Sequence, residues 1–215
     1  MSKLIDCRRC ARLVDNLRRV KQQYPHYHCK PVSAFGSHRA GLLIVGLAPG
    51  KHGANATGIP FTGDAAGLLL FQTLFDFGFA SHARATCGTD NLQLYDCRIT
   101  NAVKCLPPQN KPLTSEVNQC NDYLKGELSS LRNTAVILAL GRIAHLAILK
   151  ALALKQAEFP FKHGAEYRLS QPATLINSYH CSRYNTQTRR LTESMFRAVF
   201  ERIQIILGKG ISNAG

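Results

Sequence analysis

Four short apolar runs, separated by longer stretches with helical periodicity, constrain the fold more than any other feature of this sequence. The runs are Leu42 to Val45, Tyr95 to Asn101, Ala135 to Leu140 and Ala173 to Ser178. Short buried strands that alternate with helices predict a parallel sheet with helices on both faces. We therefore predict one α/β domain over residues 1–215, with three α/β/α layers and a central four-stranded parallel sheet. The predicted helices are Ala65 to Phe79, Thr114 to about Ser130, Arg142 to about Lys155 and Leu191 to Leu207.

A glycine-rich loop follows the first predicted strand and ends at Asp64, just before a helix. Its glycines are Gly46, Gly50, Gly53, Gly58 and Gly63. Glycines let the backbone approach a ligand closely, and a helix start offers free N–H groups. The spacing matches neither the dinucleotide-binding fingerprint nor the P-loop. By spacing alone, this is a ligand loop of unknown type at the carboxyl edge of a parallel sheet.

The charge balance favours contact with nucleic acid. The chain has 27 Lys and Arg against 13 Asp and Glu, a net charge of +14. Such a surface attracts phosphate backbones, although solubility alone is the alternative explanation. No apolar run approaches the roughly 20 residues of a membrane span, and the first residues lack a secretory signal. We therefore expect a cytoplasmic, DNA-associated protein without a membrane partner.

The cysteines indicate a metal site. Cytosolic proteins rarely keep structural disulfides, so some of the eight cysteines should be metal ligands. The pair Cys7 and Cys10 has ligand spacing, and Cys105 with Cys120 would complete a four-thiolate site. The segment 1–30 would thus contribute two ligands. Spacing does not separate structural zinc from an iron–sulfur cluster. The remaining thiols, expected to be free, are Cys29, Cys87, Cys97 and Cys181.

Several motifs resemble those of the uracil-DNA glycosylase superfamily, and most closely its family-five branch, type B. GLAPG at 46–50, HGAN at 52–55 and PFTGD at 60–64 resemble the first motif. SYHCSRYNTQT at 178–188 resembles the second, usually His-Pro-Ser followed by Asn-Thr. The motifs keep the family's order along most of the chain. The resemblance implies a uracil-DNA glycosylase-like fold.

The function implied is that of a monofunctional DNA glycosylase of base excision repair. Such an enzyme flips uracil, or another deaminated base such as hypoxanthine, out of DNA. It then breaks the N-glycosidic bond with water and leaves an abasic site. Two alternatives stay open: a non-catalytic nucleic-acid-binding protein with a structural four-cysteine metal site, and a four-iron redox protein.

The resemblance also assigns a base pocket. It consists of Gly46, Leu47, Ala48, Phe61 and Asn101, together with His180. Phe61 offers a flat face for stacking, and the Asn101 amide suits the complementary edge of uracil. The backbone N–H groups near Leu47 and Ala48 would bind a carbonyl oxygen. Core packing for Phe61 and a strand-end turn for Asn101 are the alternatives.

Asp64 and His180 are the expected catalytic residues. The resemblance implies that His180 hydrogen-bonds the base carbonyl that gains charge as the bond breaks. Leu47 stands where many superfamily members have a carboxylate or amide, which makes Asp64 the nearest acid in the loop. A helix N-cap is the alternative role for Asp64. Asn55 is a further candidate for holding water.

The resemblance implies that the segment after His180 enters the DNA minor groove. Its expected DNA contacts are Arg183, Tyr184, Asn185, Arg189 and Arg190. Cys181 stands where the family usually has proline, which makes the start of the loop less rigid. The resemblance also implies one structural [4Fe-4S] cluster on Cys7, Cys10, Cys105 and Cys120, without a redox step. We expect a monomer with DNA as its partner.

Overall fold

A computed structural model describes residues 4–84, 91–132, 135–169 and 173–209, and one mixed sheet dominates them. The strands are β1 (Phe35–Gly36), β2 (Leu42–Gly46), β3 (Cys97–Asn101), β4 (Val136–Leu140), β5 (Glu166–Arg168) and β6 (Thr174–Ser178). Their spatial order is β1-β3-β2-β4-β6-β5. The central four, β3-β2-β4-β6, are parallel and correspond to the four apolar runs. The predicted parallel sheet is therefore present.

The sheet is larger than predicted, because an antiparallel strand is added at each edge. β1 pairs with β3 and β5 pairs with β6. The predicted central four-stranded parallel sheet is confirmed, and the two antiparallel strands at its edges were not predicted. Both strands are very short, and β5 is largely exposed, so neither has an apolar run. They form because a neighbouring strand offers hydrogen-bonding groups, which local periodicity does not reveal.

Seven α-helices surround the described part of the sheet. They are α1 (Ala11–Gln23), α2 (Ala54–Thr57), α3 (Ala65–Asp76), α4 (Thr114–Ser129), α5 (Arg142–Ala151), α6 (Arg183–Gln187) and α7 (Glu193–Ile206). Two end earlier than predicted. α3 stops before Gly78, and α5 stops before Ala153, both of which have positive φ values that leave the right-handed helix. Cys87 and the tail 210–215 lie outside the described residues.

Two buried cores lie on the opposite faces of the sheet. On one face, alternate strand residues such as Ile44 and Leu138 pack against Phe71 of α3 and Phe200 of α7. On the other face, residues such as Val45 pack against helices α4 and α5. Because successive strand residues point to opposite faces, every central strand is apolar throughout. The predicted three-layer α/β/α architecture is confirmed.

A third cluster places α1 beyond the carboxyl end of β3. Leu13, Leu17 and Val20 of α1 pack against Val103 and against Cys105 and its neighbours. Two ion pairs also join the N-terminal segment to α4, Arg9 with Asp122 and Arg12 of α1 with Glu116, both at 2.7 Å. The N-terminal segment therefore lies over the same edge of the sheet as the glycine-rich loop.

The four parallel strands end at this one edge. Gly46 is opposite Asn101 in the strand register, and Leu140 is opposite Ser178. The segments 46–64, 101–112 and 179–190, which follow three of these strands, therefore meet there. None of the described helices combines the length and hydrophobicity needed to span a bilayer.

Candidate active site

A cleft of about 580 Å³ opens at the carboxyl edge of the sheet. Its walls come from the glycine-rich loop, the first turns of α3 and α5, and the segment after β6. The lining residues are Leu47, Ala48, Gly50, Asp64, Ala65, Ala66, Asn110, Leu140, Gly141, Arg142, Ile143, Ala144, Phe161, Tyr179, His180, Ser182, Arg183, Asn185 and Arg190. The cleft thus joins both motif segments identified in the sequence.

Gly46, Phe61 and Asn101 form a tight group behind the cleft. A Cβ atom on Gly46 would lie 2.5 Å from the Asn101 Oδ1 and 2.6 Å from the Phe61 Cζ. Any side chain at position 46 would therefore collide with both neighbours. Phe61 is 6% exposed and Asn101 is 3% exposed. The Asn101 amide makes no hydrogen bond with the described residues, so its donors and acceptor stay free for a ligand.

Phe61 has an unusual backbone conformation. Its φ value is +62°, a region that bulky residues rarely adopt. The first turn of α3 approaches it closely, since a Cβ atom on Gly67 would lie 1.7 Å from the Phe61 carbonyl oxygen. Strained backbone of this kind is often found where a side chain must be held for function. Here it directs the Phe61 ring towards Gly46.

His180 connects the two motif segments. Its imidazole stacks on the Phe61 ring, with 5.8 Å between the ring centroids and 23° between the planes. Burial lowers the pKa of His180 to about 4, so the ring is neutral at pH 7. The Asn185 Nδ2 donates a 2.8 Å hydrogen bond to the His180 carbonyl oxygen. This bond fixes the backbone from which the imidazole projects.

Leu47 and Ala48 line the cleft between these groups. The Leu47 carbonyl accepts a hydrogen bond from the Val103 N–H, which holds the loop against the segment after β3. Neither the Leu47 N–H nor the Ala48 N–H donates a hydrogen bond to a described residue. Both amides are therefore available to an oxygen atom of a bound molecule.

Asp64 caps α3 and also lines the cleft. Its Oδ1 accepts a 2.9 Å hydrogen bond from the Gly67 N–H. Burial raises the pKa of the carboxyl, while hydrogen bonds from the Gly67 and Ala66 amides oppose that rise. The second oxygen, Oδ2, lies close to Gly50 and Gly53. Cβ atoms added at these two glycines would lie 3.1 and 2.6 Å from it. The capping role is therefore real, and it leaves the carboxylate beside the cleft.

The segment after His180 forms a short helix, α6, which the sequence analysis did not anticipate. Ser182 caps it by accepting from the Asn185 N–H. Arg183, Asn185 and Arg190 line the cleft, while Tyr184 is 70% exposed and Arg189 is exposed with a φ value of +56°. Cys181, which replaces the motif proline, is fully buried in the core between α3, α7 and the sheet. Its thiol therefore faces away from any DNA on the surface.

The four proposed metal ligands line one cavity beside α1. These are Cys7, Cys10, Cys105 and Cys120. The Lys104 N–H donates to the Cys120 Sγ at 3.3 Å. Burial raises the pKa of Cys105 to about 12 and that of Cys120 to about 11. Among the described residues, no group of three or more Cys, His, Asp and Glu side chains is arranged to hold a metal ion.

Some cleft residues were missed by the sequence analysis. Tyr179 contacts Arg190 and His163. The Arg190 Cζ lies 4.7 Å from the centroid of the Tyr179 ring. The His163 ring stacks on Tyr179 with 5.1 Å between the centroids. Phe161 packs next to Tyr179. Tyr179 directly precedes His180, which was a usable signal. Phe161 belongs to a segment without a motif, and no sequence signal pointed to it. Asn55, a candidate for holding water, is buried outside the cleft.

Comparisons with known proteins agree with this arrangement. A family model described as the uracil DNA glycosylase superfamily matches residues 33–204. A type-5 uracil-DNA glycosylase of Thermus thermophilus is 43% identical over 211 residues, which is 95% of each chain. Another of Pyrobaculum aerophilum is 39% identical over 206 residues, covering 94% of this chain and 89% of the relative. A type-4 uracil-DNA glycosylase of Archaeoglobus fulgidus is 32% identical over 204 residues, covering 92% and 88%.

Proposed function

The chain belongs to the uracil-DNA glycosylase superfamily, in its family-five branch, and on that premise we propose how its cleft works. It is a DNA glycosylase that removes uracil from DNA. One structural observation carries the proposal. Phe61 and Asn101 are far apart in the sequence, yet they meet at Gly46 behind the cleft. The His180 ring, which lines the cleft, stacks on Phe61.

The flipped base is read by three kinds of contact. Phe61 offers an aromatic face, which suits any planar base. The free amide of Asn101 offers two donors and one acceptor to the polar edge of uracil. The unpaired N–H groups of Leu47 and Ala48 are placed in the cleft wall to donate to a carbonyl oxygen of the base. An enzyme that acts on a base must extract it from the stack, and this pocket accepts the extracted base.

Cleavage breaks the bond between C1′ of the sugar and the base nitrogen. The electron pair leaves with the base, and the oxygen of a water molecule bonds to C1′. The water loses one proton, and the departing base anion gains one. His180 is neutral and acts as a hydrogen-bond donor to the base carbonyl where negative charge develops. The Asp64 carboxylate stabilises the positive character of the sugar or orients the water.

A permissive pocket follows from the absence of a polar side chain at Leu47. A hydrogen-bonding side chain at that place would reject bases that lack its complementary group, since a buried polar atom would stay unpaired. The cleft volume of about 580 Å³ also leaves room beyond a pyrimidine. We expect hypoxanthine and other deaminated bases to be accepted beside uracil.

Cys7, Cys10, Cys105 and Cys120 are the residues that would hold a [4Fe-4S] cluster. Four thiols around one cavity fit the ligand set of such a cluster, and the Lys104 N–H bond to the Cys120 sulfur is of the kind that stabilises a coordinated thiolate. When bound, the cluster would cross-link the N-terminal segment to the chain after β3.

We propose that the protein acts as a monomer, because the glycine-rich loop and the segment after β6, which carry both motifs, line the same cleft. Because the substrate is DNA, we propose that the protein acts in the cytoplasm on the chromosome.

Base release from labelled duplexes tests the proposal. Duplexes with one uracil, one hypoxanthine or neither are incubated with the protein, and abasic sites are then cleaved with alkali. We expect cuts in the first two duplexes and none in the third. The His180→Ala variant serves as the matched control and should lose excision far more than binding. A folded protein that shifts DNA but releases no base would overturn the enzyme and favour a binding module.

The cofactor needs a separate measurement. Protein purified without oxygen should contain about four iron and four sulfide ions per chain and should be brown. The Cys105→Ser variant should lose most of both. Zinc without sulfide in the wild-type protein would contradict the iron–sulfur assignment while leaving the excision proposal intact.

A further inference from the structure

We propose that a basic groove on the N-terminal helix binds the phosphate backbone of the DNA that flanks the damaged base. The groove lies between the segment 5–8, one face of α1 and the loop after it, and its volume is about 580 Å³. Its four cationic side chains are Arg8, Arg18, Lys21 and Lys30. This inference rests on the proposed function, because it assigns a second contact region to the same DNA.

The cations of the groove differ from the other cations of the same segment. Arg9 and Arg12 are neutralised by carboxylates of α4. Arg8, Lys21 and Lys30 have no carboxylate within ion-pair distance among the described residues. Arg18 has only a 3.4 Å contact with Asp15, and both side chains are exposed. Asp6 is the one carboxylate among the groove residues, so the groove keeps a net positive charge.

One side of the groove is formed by a single face of α1. Val14, Leu17, Arg18, Lys21 and Gln22 line it, and they follow one another at helical spacings of three, one, three and one residues. Residues with this spacing share one face of a helix. Leu17 is buried against the rest of the protein, while Arg18 and Lys21 are exposed at the rim. The cationic rim attracts the phosphates of a nucleic-acid strand.

The groove is connected to the cleft. Ala48 lines the cleft and also packs against the buried cluster that includes Leu17 of α1. Lys51 follows the cleft residue Gly50 and lies over the Tyr24 ring at 4.9 Å. The adjacent Tyr27 hydroxyl is hydrogen-bonded to the His52 Nδ1 at 2.9 Å. The short stretch between the two sites is therefore basic and aromatic.

Lys21 completes this connection. Its Nζ donates a 2.5 Å hydrogen bond to the Tyr27 carbonyl oxygen, which places one groove cation beside the aromatic stretch. The cleft and α1 also lie over the same edge of the sheet. A duplex that delivers a nucleotide to the cleft extends past this edge, and it carries one negative charge per about 1.7 Å of axis. The groove would neutralise a few of these phosphates.

Salt-dependent binding tests the groove. The triple variant Arg18→Gln, Lys21→Gln, Lys30→Gln is compared with the wild-type protein on an undamaged duplex and on a duplex with one abasic site. The slope of log affinity against log salt should become less steep by up to about 2.7, since each phosphate contact contributes about 0.9. Arg8 is left in place because it lies between two proposed metal ligands.

The control is a second triple variant with the same loss of charge, Lys125→Gln, Lys155→Gln, Arg168→Gln. These three side chains are exposed. Lys125 lies on α4, Lys155 follows α5 and Arg168 lies on β5, all away from the carboxyl edge of the sheet where the cleft opens. Its slope should stay near that of the wild-type protein. Equal slopes for the two triple variants would overturn the proposal.

Duplex arms locate the contact. The groove lies to one side of the cleft, so shortening one arm of the abasic duplex to a few base pairs should abolish the difference between the groove variant and wild type. Shortening the other arm should preserve it. An equal effect of both arms would also overturn the proposal. These binding measurements require no excision. Failure of the wild-type protein to excise uracil would therefore contradict the proposed function and leave the groove proposal untouched.

Discussion

Asp64 has two roles, because it caps α3 and also lines the cleft. Its Oδ1 accepts the Gly67 N–H at the start of α3, and the carboxyl group borders the cleft. A cap requires only an oxygen acceptor, whereas stabilising a positive sugar requires negative charge. The two roles therefore respond differently to loss of charge and to loss of the acceptor.

Two substitutions at Asp64 separate these roles. Asn caps helices about as well as Asp, so Asp64→Asn should change the free energy of unfolding by less than about 0.5 kcal/mol. It should nevertheless slow uracil excision by roughly 100-fold or more, because the negative charge is lost. Asp64→Ala should also lose about 1 kcal/mol of stability. Urea unfolding and single-turnover excision measure the two effects. If the Asn variant excised uracil at the wild-type rate, Asp64 would act only as a helix cap.

The depressed pKa of His180 predicts a stability change with pH. Unfolded histidine takes up a proton near pH 6.5, whereas His180 in the folded protein does so near pH 4. Between these values the unfolded state binds more protons, so stability is full above pH 6.5 and declines as the pH falls towards 4. The His180→Gln variant should show a shallower decline in urea unfolding over this interval. Parallel curves for the variant and wild type would contradict the burial of a neutral imidazole.

At the scale of elements, a buried ion pair ties β3 to α4. Lys104 is 1% exposed, and its Nζ contacts both carboxylate oxygens of Glu127, at 3.0 and 2.9 Å. The same ammonium donates to the Thr100 hydroxyl. Thr100 precedes Asn101, and Lys104 precedes Cys105. The pair therefore supports the segment that connects the proposed base pocket to the proposed metal ligands.

Removing one member of this pair should lower the free energy of unfolding strongly, whereas replacing both members should lower it much less. Lys104→Met leaves the Glu127 carboxylate without its partner, and an uncompensated charge of this kind costs about 3–5 kcal/mol. The double variant Lys104→Met, Glu127→Leu should recover most of that loss, because neither charge then remains. Urea unfolding measures both, with exposed Lys125→Met as a control expected within about 0.5 kcal/mol of wild type. A double variant no more stable than the single one would argue against the pair as the cause.

The sequence predicted the elements that have their own periodicity. The four parallel strands and the helices α3, α4, α5 and α7 were predicted because long apolar patterns report burial directly. β1, β5, α2 and α6 were not predicted. They contain two, three, four and five residues, which are too few for a pattern, and their formation depends on neighbouring strands and loops. Tertiary context decides such short elements.

The candidate site was predictable only in part. The motif resemblance located Gly46, Phe61, Asn101 and His180, and the structure brings them together. It did not reveal the positive φ value of Phe61 or the contact of its ring with His180. Nor did it show that Cys181 points into the core. Local sequence determines which residue types are present, whereas side-chain directions follow from packing across the sheet.

At the scale of the whole molecule, α1 is attached through one apolar face and one ion pair. Its buried side chains are Leu13, Leu17 and Val20, and Arg12 donates to both carboxylate oxygens of the buried Glu116 of α4. These contacts must offset about 1–2 kcal/mol of conformational entropy for each residue that is ordered. The proposed cluster would join Cys7 and Cys10 of this segment to Cys105 and Cys120. Its presence should therefore decide whether α1 stays docked.

Loss of the cluster should release the N-terminal segment before the sheet unfolds. The double variant Cys7→Ser, Cys10→Ser should lack iron, and limited proteolysis should cut it between residues 24 and 34, after α1. The remaining chain should keep its core, because the buried faces of the sheet do not include α1. Cys97→Ala, which alters a buried thiol outside the proposed ligand set, should retain iron and resist the protease. If the double variant kept both its iron and its resistance, Cys7 and Cys10 would not be ligands, and the apolar face of α1 and its ion pair with α4 would hold the helix.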